Sequence, residues 1–287
     1  MTLTCVRDAT AADFARYAWS HLYRDPVRHN VICTLVETAY QRERPDWEWW
    51  RVLDGEHLLG VAIRTPPRGL LLGELPQAGA LALAQHAAGT HPGLGSVSGP
   101  AAAVDAFVPR YAARTGRTAR PGMAQRLFRL DRVVAPPATA GGARPATHAD
   151  RELLLDWLTA FGAEANTVAQ SRDEWATGVD SRLDYPDLMW LWEVGGRPVS
   201  FAWRSPLRPP DAWPRTPVSR IGAVYTPAEH RGRGYASVNV AALSQRALDA
   251  GASACMLYTD LANPVSNRIY QRIGYRPVAD AQEWLFS

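Results

Sequence analysis

The feature that most limits the possible folds is a segment near the middle of the chain, Val133 to Pro145, that has no hydrophobic period. It is dense in proline, glycine and alanine, which is typical of a linker. The segment divides the 287 residues into two parts, 1–132 and 146–287, each close to the size of a domain of about 150 residues. We therefore expect two domains joined by a linker at 133–145.

The part before the linker carries a hairpin signal. Two β-prone runs, Trp47 to Leu53 and His57 to Arg64, flank Asp54-Gly55, and Asp-Gly favours a two-residue hairpin turn. A further strand and two helices are predicted at Leu70 to Glu74, Gln77 to Ala88 and Ala101 to Arg114. This part therefore predicts an α+β unit.

The part after the linker repeats that order. Apolar residues recur at helical spacing from Asp150 to Phe161, and two strands flank the turn Gly195-Gly196. The predicted strands are Leu188 to Val194, Pro198 to Trp203, Val218 to Tyr225, Ala254 to Tyr258 and Trp284 to Phe286, and the later helices are Ala236 to Ala250 and Ser266 to Ile273. The repeated order predicts a tandem of two similar α+β units.

Composition excludes several functions. All 31 basic residues are arginine, since the sequence contains no lysine, and this excludes chemistry that needs a catalytic or P-loop lysine. The net charge of +3 is small, and no basic run indicates a nucleic-acid partner. No long apolar stretch or leader predicts a membrane segment or secretion. Three dispersed cysteines make no disulfide framework, so we expect a cytoplasmic protein.

The most specific local pattern is the segment Thr226 to Ser237, which contains Arg231-Gly-Arg-Gly-Tyr-Ala236 between a predicted strand and a predicted helix. Its glycines allow a tight turn that presents backbone N–H groups, and the helix start adds free donors and a positive dipole end. Such a turn suits a pyrophosphate. A Gly-x-Gly turn alone is also compatible with a purely structural start of a helix.

A second pattern runs from Asn263 to Pro277. Asn263 ends a loop after a predicted strand, and Asn267 and Tyr270 are three residues apart, so they share a helix face. Taken alone, this segment also fits an N-capped helix whose tyrosine packs on the sheet.

Together the two patterns resemble the GNAT superfamily of N-acetyltransferases. Arg231 to Ala236 matches that superfamily's Arg/Gln-x-x-Gly-x-Gly/Ala loop, and Asn263, Asn267, Tyr270 and Gly274-Tyr275 match its later pattern. The resemblance covers about residues 145 to 287. The front part is similar to a degenerate copy, because the region of Leu72 to Pro76 has no such loop. The resemblance implies tandem GNAT-like domains, each a mixed, mostly antiparallel twisted sheet flanked by helices.

The resemblance implies that acetyl-CoA is the acetyl donor and that it binds in the rear part. Backbone groups of the Arg231 to Ser237 loop would hold the pyrophosphate, and the strand end at Val224 to Thr226 would pair with pantetheine. The implied cofactor-binding residues are Val224, Tyr225, Thr226, Arg231, Gly232, Arg233, Gly234, Tyr235, Ala236, Ser237, Asn263, Asn267 and Tyr270.

Catalysis in that family is direct attack of an amine on the thioester. The resemblance implies that Tyr270 is the acid that protonates, or donates a hydrogen bond to, the departing thiolate. The resemblance does not assign a general base, because the strand Ser219 to Tyr225 contains no acidic residue. Glu164 is our choice for it, with Glu193 and Asp260 as alternatives. The seven histidines form no metal-binding motif, so no metal is expected.

We therefore expect an enzyme that acetylates an amine of a small molecule or a peptide, as a monomer or a homodimer. The alternative is a non-catalytic acyl-CoA-binding sensor that keeps the loop. The acceptor is expected between the Pro-rich loop Ser205 to Pro217 and the helices after the linker. Arg204, Arg208 and Arg215 fit either a carboxylate-bearing acceptor or a solvated surface.

Overall fold

The computed structural model describes residues 3–41, 44–165, 170–185, 187–207 and 217–287. Within these ranges the strands are β1 (Leu3–Asp8), β2 (Glu48–Asp54), β3 (His57–Arg64), β4 (Leu70–Leu72), β5 (Ser96–Pro100), β6 (Ala119–Leu130), β7 (Gly142–Pro145), β8 (Met189–Val194), β9 (Arg197–Arg204), β10 (Val218–Tyr225), β11 (Ala254–Asp260) and β12 (Arg276–Phe286). The α-helices are α1 (Ala11–Arg24), α2 (Asn30–Gln41), α3 (Gln77–Thr90), α4 (Ala101–Thr115), α5 (Arg151–Glu164), α6 (Arg172–Leu183), α7 (Tyr235–Asp249) and α8 (Pro264–Arg272).

The order of elements is the same in both halves of the chain. Each half runs strand, two helices, three strands, helix, strand, helix, strand: from β1 to β6 in the front half and from β7 to β12 in the rear half. The sheet is antiparallel except where β4 pairs with β5 and where β10 pairs with β11. The expected mixed, mostly antiparallel architecture is therefore confirmed.

The two halves share one sheet and exchange their last strands. The strand order is β1-β2-β3-β4-β5-β12-β6-β11-β10-β9-β8-β7. Thus β12, from the rear half, lies between β5 and β6, whereas β6, from the front half, lies between β12 and β11. The predicted linker at 133–145 lies between the two halves, except that its last four residues form β7, the first strand of the rear half, and hydrogen bonding continues across it.

Helices cover both faces of the sheet because successive side chains of a strand point to opposite faces. In β2, Trp49 packs in the cluster under α1 and α2, and its neighbour Trp50 packs in the cluster under α3 and α4. In β8, Leu191 packs under α5 and α6, whereas Trp190 packs under α7. Each half therefore has two cores, one on each side of the sheet.

Side-chain caps fix several helix starts. The Thr10 hydroxyl accepts a hydrogen bond from the Asp13 N–H at 3.0 Å at the start of α1. At the start of α6, Ser171 and Glu174 form a reciprocal capping box. These caps satisfy donors that the first turn of a helix leaves free.

The structure differs from the predicted elements in three respects. The last four residues of the predicted linker form β7, whose backbone pairs with β8. The strand predicted at Trp284 begins at Arg276 instead, and its polar side chains conceal it in the sequence. The strands β1, β5 and β6 and the helices α1, α2 and α6 lie where no element was predicted. Main-chain pairing needs no hydrophobic period, so β6 and β7 leave a weak signal.

Candidate active site

The parallel pair β10 and β11 separates partway along its length. The two strands pair at Val218–Ala254, Ser219–Cys255 and Arg220–Met256. Beyond this point β11 stays paired with β6 as far as Asp260, while β10 follows β9 through a bulge between Gly222 and Tyr225. A gap therefore opens between the two strands beyond Arg220 and Met256, where β10 has no pairing partner in β11.

The loop after β10 is shaped by two glycines. Gly232 has φ = 75° and Gly234 has φ = 82°, a left-handed conformation that glycine adopts without steric cost. Gly234 is the N-cap residue of α7, and no side chain in the described ranges caps that helix. The first turn of α7, described in full, also contains no acidic residue.

These features make the start of α7 a site for an anion. The first N–H groups of a helix have no partner within the helix, and the dipole adds positive potential there. The Thr139 hydroxyl donates to the Arg233 carbonyl at 3.0 Å, so the segment before β7 braces the loop. The arrangement can hold a phosphate or pyrophosphate group through backbone donors.

The Arg231 side chain forms hydrogen bonds with other residues of the protein. Its guanidinium donates to Glu164 Oε2 at 2.6 Å and to the Thr226 carbonyl at 2.9 Å. The Tyr225 hydroxyl donates to the other Glu164 oxygen at 3.2 Å. Burial, and then the Glu164 charge, raise the pKa of Tyr225. The cluster joins the end of α5 to the end of β10 and fixes where the loop begins.

The predicted asparagines make local structural bonds. Asn263 caps α8 by accepting from the Ser266 N–H at 3.0 Å. The Asn267 amide donates to the carbonyls of Asp260 and Asn263 and its oxygen accepts from the Thr259 hydroxyl. These bonds hold the β11–α8 junction beside the gap. The interpretation of this segment as an N-capped helix therefore holds for its asparagines.

Tyr270 lies half-buried on α8. Its ring packs edge-on to Tyr275 with ring centroids 6.0 Å apart, and it contacts the same cluster as Val224 of β10. Burial raises the pKa of Tyr270 to about 12. The phenol is therefore protonated at neutral pH and able to donate a proton.

The two alternative bases, Glu193 and Asp260, interact with other parts of the protein. Glu193 lies on β8 and forms an ion pair with Arg144 at 2.7 Å, whereas Asp260 accepts from the Ala262 N–H at 2.8 Å in the turn after β11. Glu164 is the one predicted carboxylate that the described structure brings to the loop. Its pairing with Arg231 spans 67 residues, so no local sequence signal could have revealed it.

The expected acceptor loop is only partly described. Arg208 and Arg215 lie outside the described residues. Arg204 is buried and donates to the carbonyls of Asp187 and Ser205. For Arg204 the interpretation as solvated surface was therefore wrong, because its side chain is buried and its donors bind backbone carbonyls.

Two further observations concern metals and membranes. In the described part of the chain, His, Cys, Asp and Glu side chains form no group of three that could hold a metal ion. None of the described helices combines the length and apolar character needed to cross a bilayer.

Solved structures with the same architecture span nearly the whole chain. A GNAT-family acetyltransferase from Colwellia psychrerythraea matches with a TM-score of 0.60 and 11% identity, over 100% of both chains. A GCN5-related N-acetyltransferase from Sphaerobacter thermophilus matches with a TM-score of 0.61 and 16% identity, over 98% of this chain and 94% of that one. The fold is that of the GNAT acetyltransferases.

The GNAT resemblance read from the motifs is thus confirmed at the level of fold. A Drosophila protein also matches, with a TM-score of 0.65 and 10% identity, over 99% of this chain and 98% of that one. The family model described as FR47-like protein matches residues 211–285, which include the loop and α8. A search of curated proteins found no match.

Proposed function

We propose that the protein is an acetyl-CoA-dependent N-acetyltransferase acting on an amine of a small molecule or a peptide. The observation that carries the proposal is the gap between β10 and β11, which ends at the uncapped start of α7. A long acyl-CoA arm fits an open strand edge that leads to an anion site. The matches to GNAT structures support the same assignment.

The proposed binding roles follow the backbone. The N–H groups from Arg231 to Ser237 would hold the pyrophosphate, and the edge of β10 at Val224 to Thr226 would pair with the pantetheine amides and the thioester carbonyl. The Arg231–Glu164 pair keeps the loop in place before binding. Asn263 and Asn267 would act indirectly, by holding α8 against the end of β11.

The bound donor supplies an activated acetyl thioester. The acceptor nitrogen forms a bond to the carbonyl carbon, the bond to sulfur breaks, and the sulfur leaves with the electron pair. Tyr270 would donate a proton or a hydrogen bond to that sulfur. The phenol is protonated at neutral pH, as this role requires.

Glu164 is proposed to accept the ammonium proton, directly or through a water. It lies at the end of α5, half exposed, on the same side of the sheet as Tyr225. Both of its oxygens accept hydrogen bonds from the protein, so proton transfer would require the Arg231 contact to loosen. A Glu164→Gln variant separates the roles: loss of a base lowers kcat, whereas loss of the brace weakens acetyl-CoA binding.

We further propose that residues 1–132 and 146–287 are two copies of one unit, with donor chemistry only in the second. The protein is proposed to work in the cytoplasm, as a monomer or homodimer, without a metal. The alternative, a non-catalytic acyl-CoA sensor, would use the same loop. Binding of acetyl-CoA without turnover would identify it.

The test combines calorimetry with thiol release. Acetyl-CoA is titrated into the purified protein, and thiol release is then followed across a panel of amines. Arg231→Glu should weaken binding about a hundredfold, since it replaces a braced cation with an anion at the phosphate site. Arg197→Glu, on the exposed start of β9, is the control and should bind normally. Normal affinity in Arg231→Glu would refute the site.

A further inference from the structure

A cavity of about 430 Å³ lies where the two halves meet. It is lined by α2, by the ends of β4 and β5, and by the exchanged strands β6 and β12, and Arg220 and Tyr258 form part of its wall. Pockets of this volume are typical of small-molecule sites. The cavity therefore has room for a small acceptor.

Arg220 is a half-buried cation at this wall with little compensation. Its Nη1 lies 3.4 Å from Asn30 Oδ1, a long contact. Burial lowers the pKa of Arg220, and Tyr258 and Glu37 counteract that effect only in part. Among the residues described, no carboxylate forms an ion pair with it. A charge that is partly removed from water and has no ion-pair partner carries a desolvation cost, and a bound anion would offset that cost.

A second half-buried arginine, Arg182, is close enough to Arg220 for the two charges to interact. Arg182, on the last turn of α6, stacks on the Trp203 ring at 4.0 Å and donates to the Gly178 carbonyl at 2.8 Å. Its Nε has no partner in the described ranges. Burial and then the charge of Arg220 lower the pKa of Arg182 to about 10. The pair thus concentrates positive charge at one point.

Gly222 is what allows this arrangement. A Cβ on Gly222 would lie 2.0 Å from Trp203 Nε1, so the indole lies directly against the backbone of β10. The indole ring stacks on Arg182. Arg220 lies two residues before Gly222 in β10, so it is on the same face of the sheet, about 7 Å along the strand. The two arginines are therefore positioned by the sheet rather than by mobile surface.

We propose that Arg220 at the cavity wall, with Arg182 as a second cation, binds a carboxylate of the acceptor, so that the acceptors are amino acids or similar small amines with a carboxylate. This inference rests on the proposed function. Arg220 and Met256 form the last pair before the gap opens, so a carboxylate held there places a nearby amine at the gap. Arginine matches carboxylate geometry with paired donors.

The acidic groups of the cavity do not oppose this assignment. Glu74 pairs with Arg28 at 2.9 Å, and Asp280 pairs with Arg126 at 2.7 Å. Glu283 lies beside Gly122, toward the other end of β6. The uncompensated positive charge is thus at the Arg220 end.

The test compares amino acids with their carboxamides as acceptors, with thiol release as the signal. The wild-type protein should prefer the carboxylate form by about tenfold or more in kcat/KM. Arg220→Met should bring the ratio close to one while acetyl-CoA affinity stays unchanged. Arg197→Met, an exposed control, should keep the preference. Equal use of both forms by the wild type, or an unchanged ratio in Arg220→Met, would overturn the proposal.

A second measurement distinguishes this inference from the proposed function. If acetyl-CoA binds but no amine releases thiol, the enzyme assignment fails. The carboxylate site is then tested by calorimetry with N-acetylamino acids and their carboxamides. Carboxylate-dependent binding that Arg220→Met weakens about tenfold supports the site, and equal or absent binding overturns it.

Stability provides an independent readout. Arg220→Met removes a half-buried charge without an ion-pair partner, so the Tm should rise by about 3 °C. Arg182→Met provides a second variant, with the same loss of preference for the carboxylate. A fall in Tm for Arg220→Met would mean that Arg220 is a structural cation, and it would count against the proposal.

Discussion

The two halves of the molecule differ most where their fourth strand meets the next helix. In the rear half, residues 226–234 form a loop with two left-handed glycines before α7 begins. In the front half, only residues 73–76 join β4 to α3, and Leu75 lies over the first turn beside Gly79. The same fold thus carries the proposed anion site in one half and a closed turn in the other.

Charge strengthens that contrast. The front turn carries Glu74, which pairs with Arg28, and its helix begins after Pro76, which has no N–H to offer. The rear loop carries Arg231 and Arg233 instead. A phosphate group would meet apolar packing and a carboxylate in the front half but donors and positive potential in the rear. One donor site, not two, is the expected stoichiometry.

The largest expected effect comes from a substitution that distorts the loop of residues 226–234. Gly234→Val forces a β-branched residue into a left-handed conformation, which moves the first N–H groups of α7. Calorimetry should show acetyl-CoA affinity reduced about a hundredfold. Gly55→Val is the matched control, because Gly55 has φ = 57° in a front hairpin with open space around it. If Gly234→Val bound acetyl-CoA normally, the two halves would not differ in the way described.

The next effect concerns the tyrosines of the equivalent helices. Tyr270→Phe in α8 should lower kcat about a hundredfold with unchanged acetyl-CoA affinity, because the acid is lost. Tyr111→Phe in α4 should lower stability and leave kcat unchanged, since its hydroxyl donates to the His91 carbonyl at 2.7 Å. Because burial raises the pKa of Tyr270 to about 12, the phenol should not limit the rate between pH 6 and about 9. Full turnover in Tyr270→Phe would remove the acid role.

The smallest effect tests whether the halves unfold together. In the front half, burial alone would raise the pKa of Glu48, but Arg64 and His91 hold that pKa below its usual value. In the rear half, the hydrogen bonds from Arg144 lower the pKa of Asp150. Each carboxylate therefore stabilises the fold above its unfolded pKa of about 4, and the contribution disappears as the pH falls through the lowered pKa.

Glu48→Gln and Asp150→Asn should each cost about 2 kcal/mol at pH 7. Thermal unfolding should still show one transition for either variant, because the halves share a sheet. Two separate transitions would show that the exchanged strands do not couple the halves. Acetyl-CoA affinity at 25 °C should be unchanged in Glu48→Gln, which lies far along the sheet from the loop.

Local patterns predicted the parts of this fold that local physics determines. The Asp54-Gly55 hairpin and the strand Val218 to Tyr225 lie where their turn and periodicity signals placed them. The glycine loop was recognisable because its chemistry depends on successive residues. The exchanged strands were not, since β6 carries arginine and proline and gains its place from partners more than a hundred residues away.

The candidate site shows the same division. The loop and Tyr270 came from short motifs, whereas the Glu164–Arg231 brace and the Arg182–Arg220 pair depend on contacts between distant elements. Nothing in the residues around Arg220 distinguishes it from the other arginines of a lysine-free chain. Only its position under the cavity does so.

The exchange of β6 and β12 also constrains how the protein can be made. On the ribosome, residues 1–132 emerge first, yet the strand that fills the space between β5 and β6 consists of residues 276–286. Until those residues are synthesised, the facing edges of β5 and β6 have no native partner. The nascent front half must therefore stay incomplete while the rest of the chain is translated.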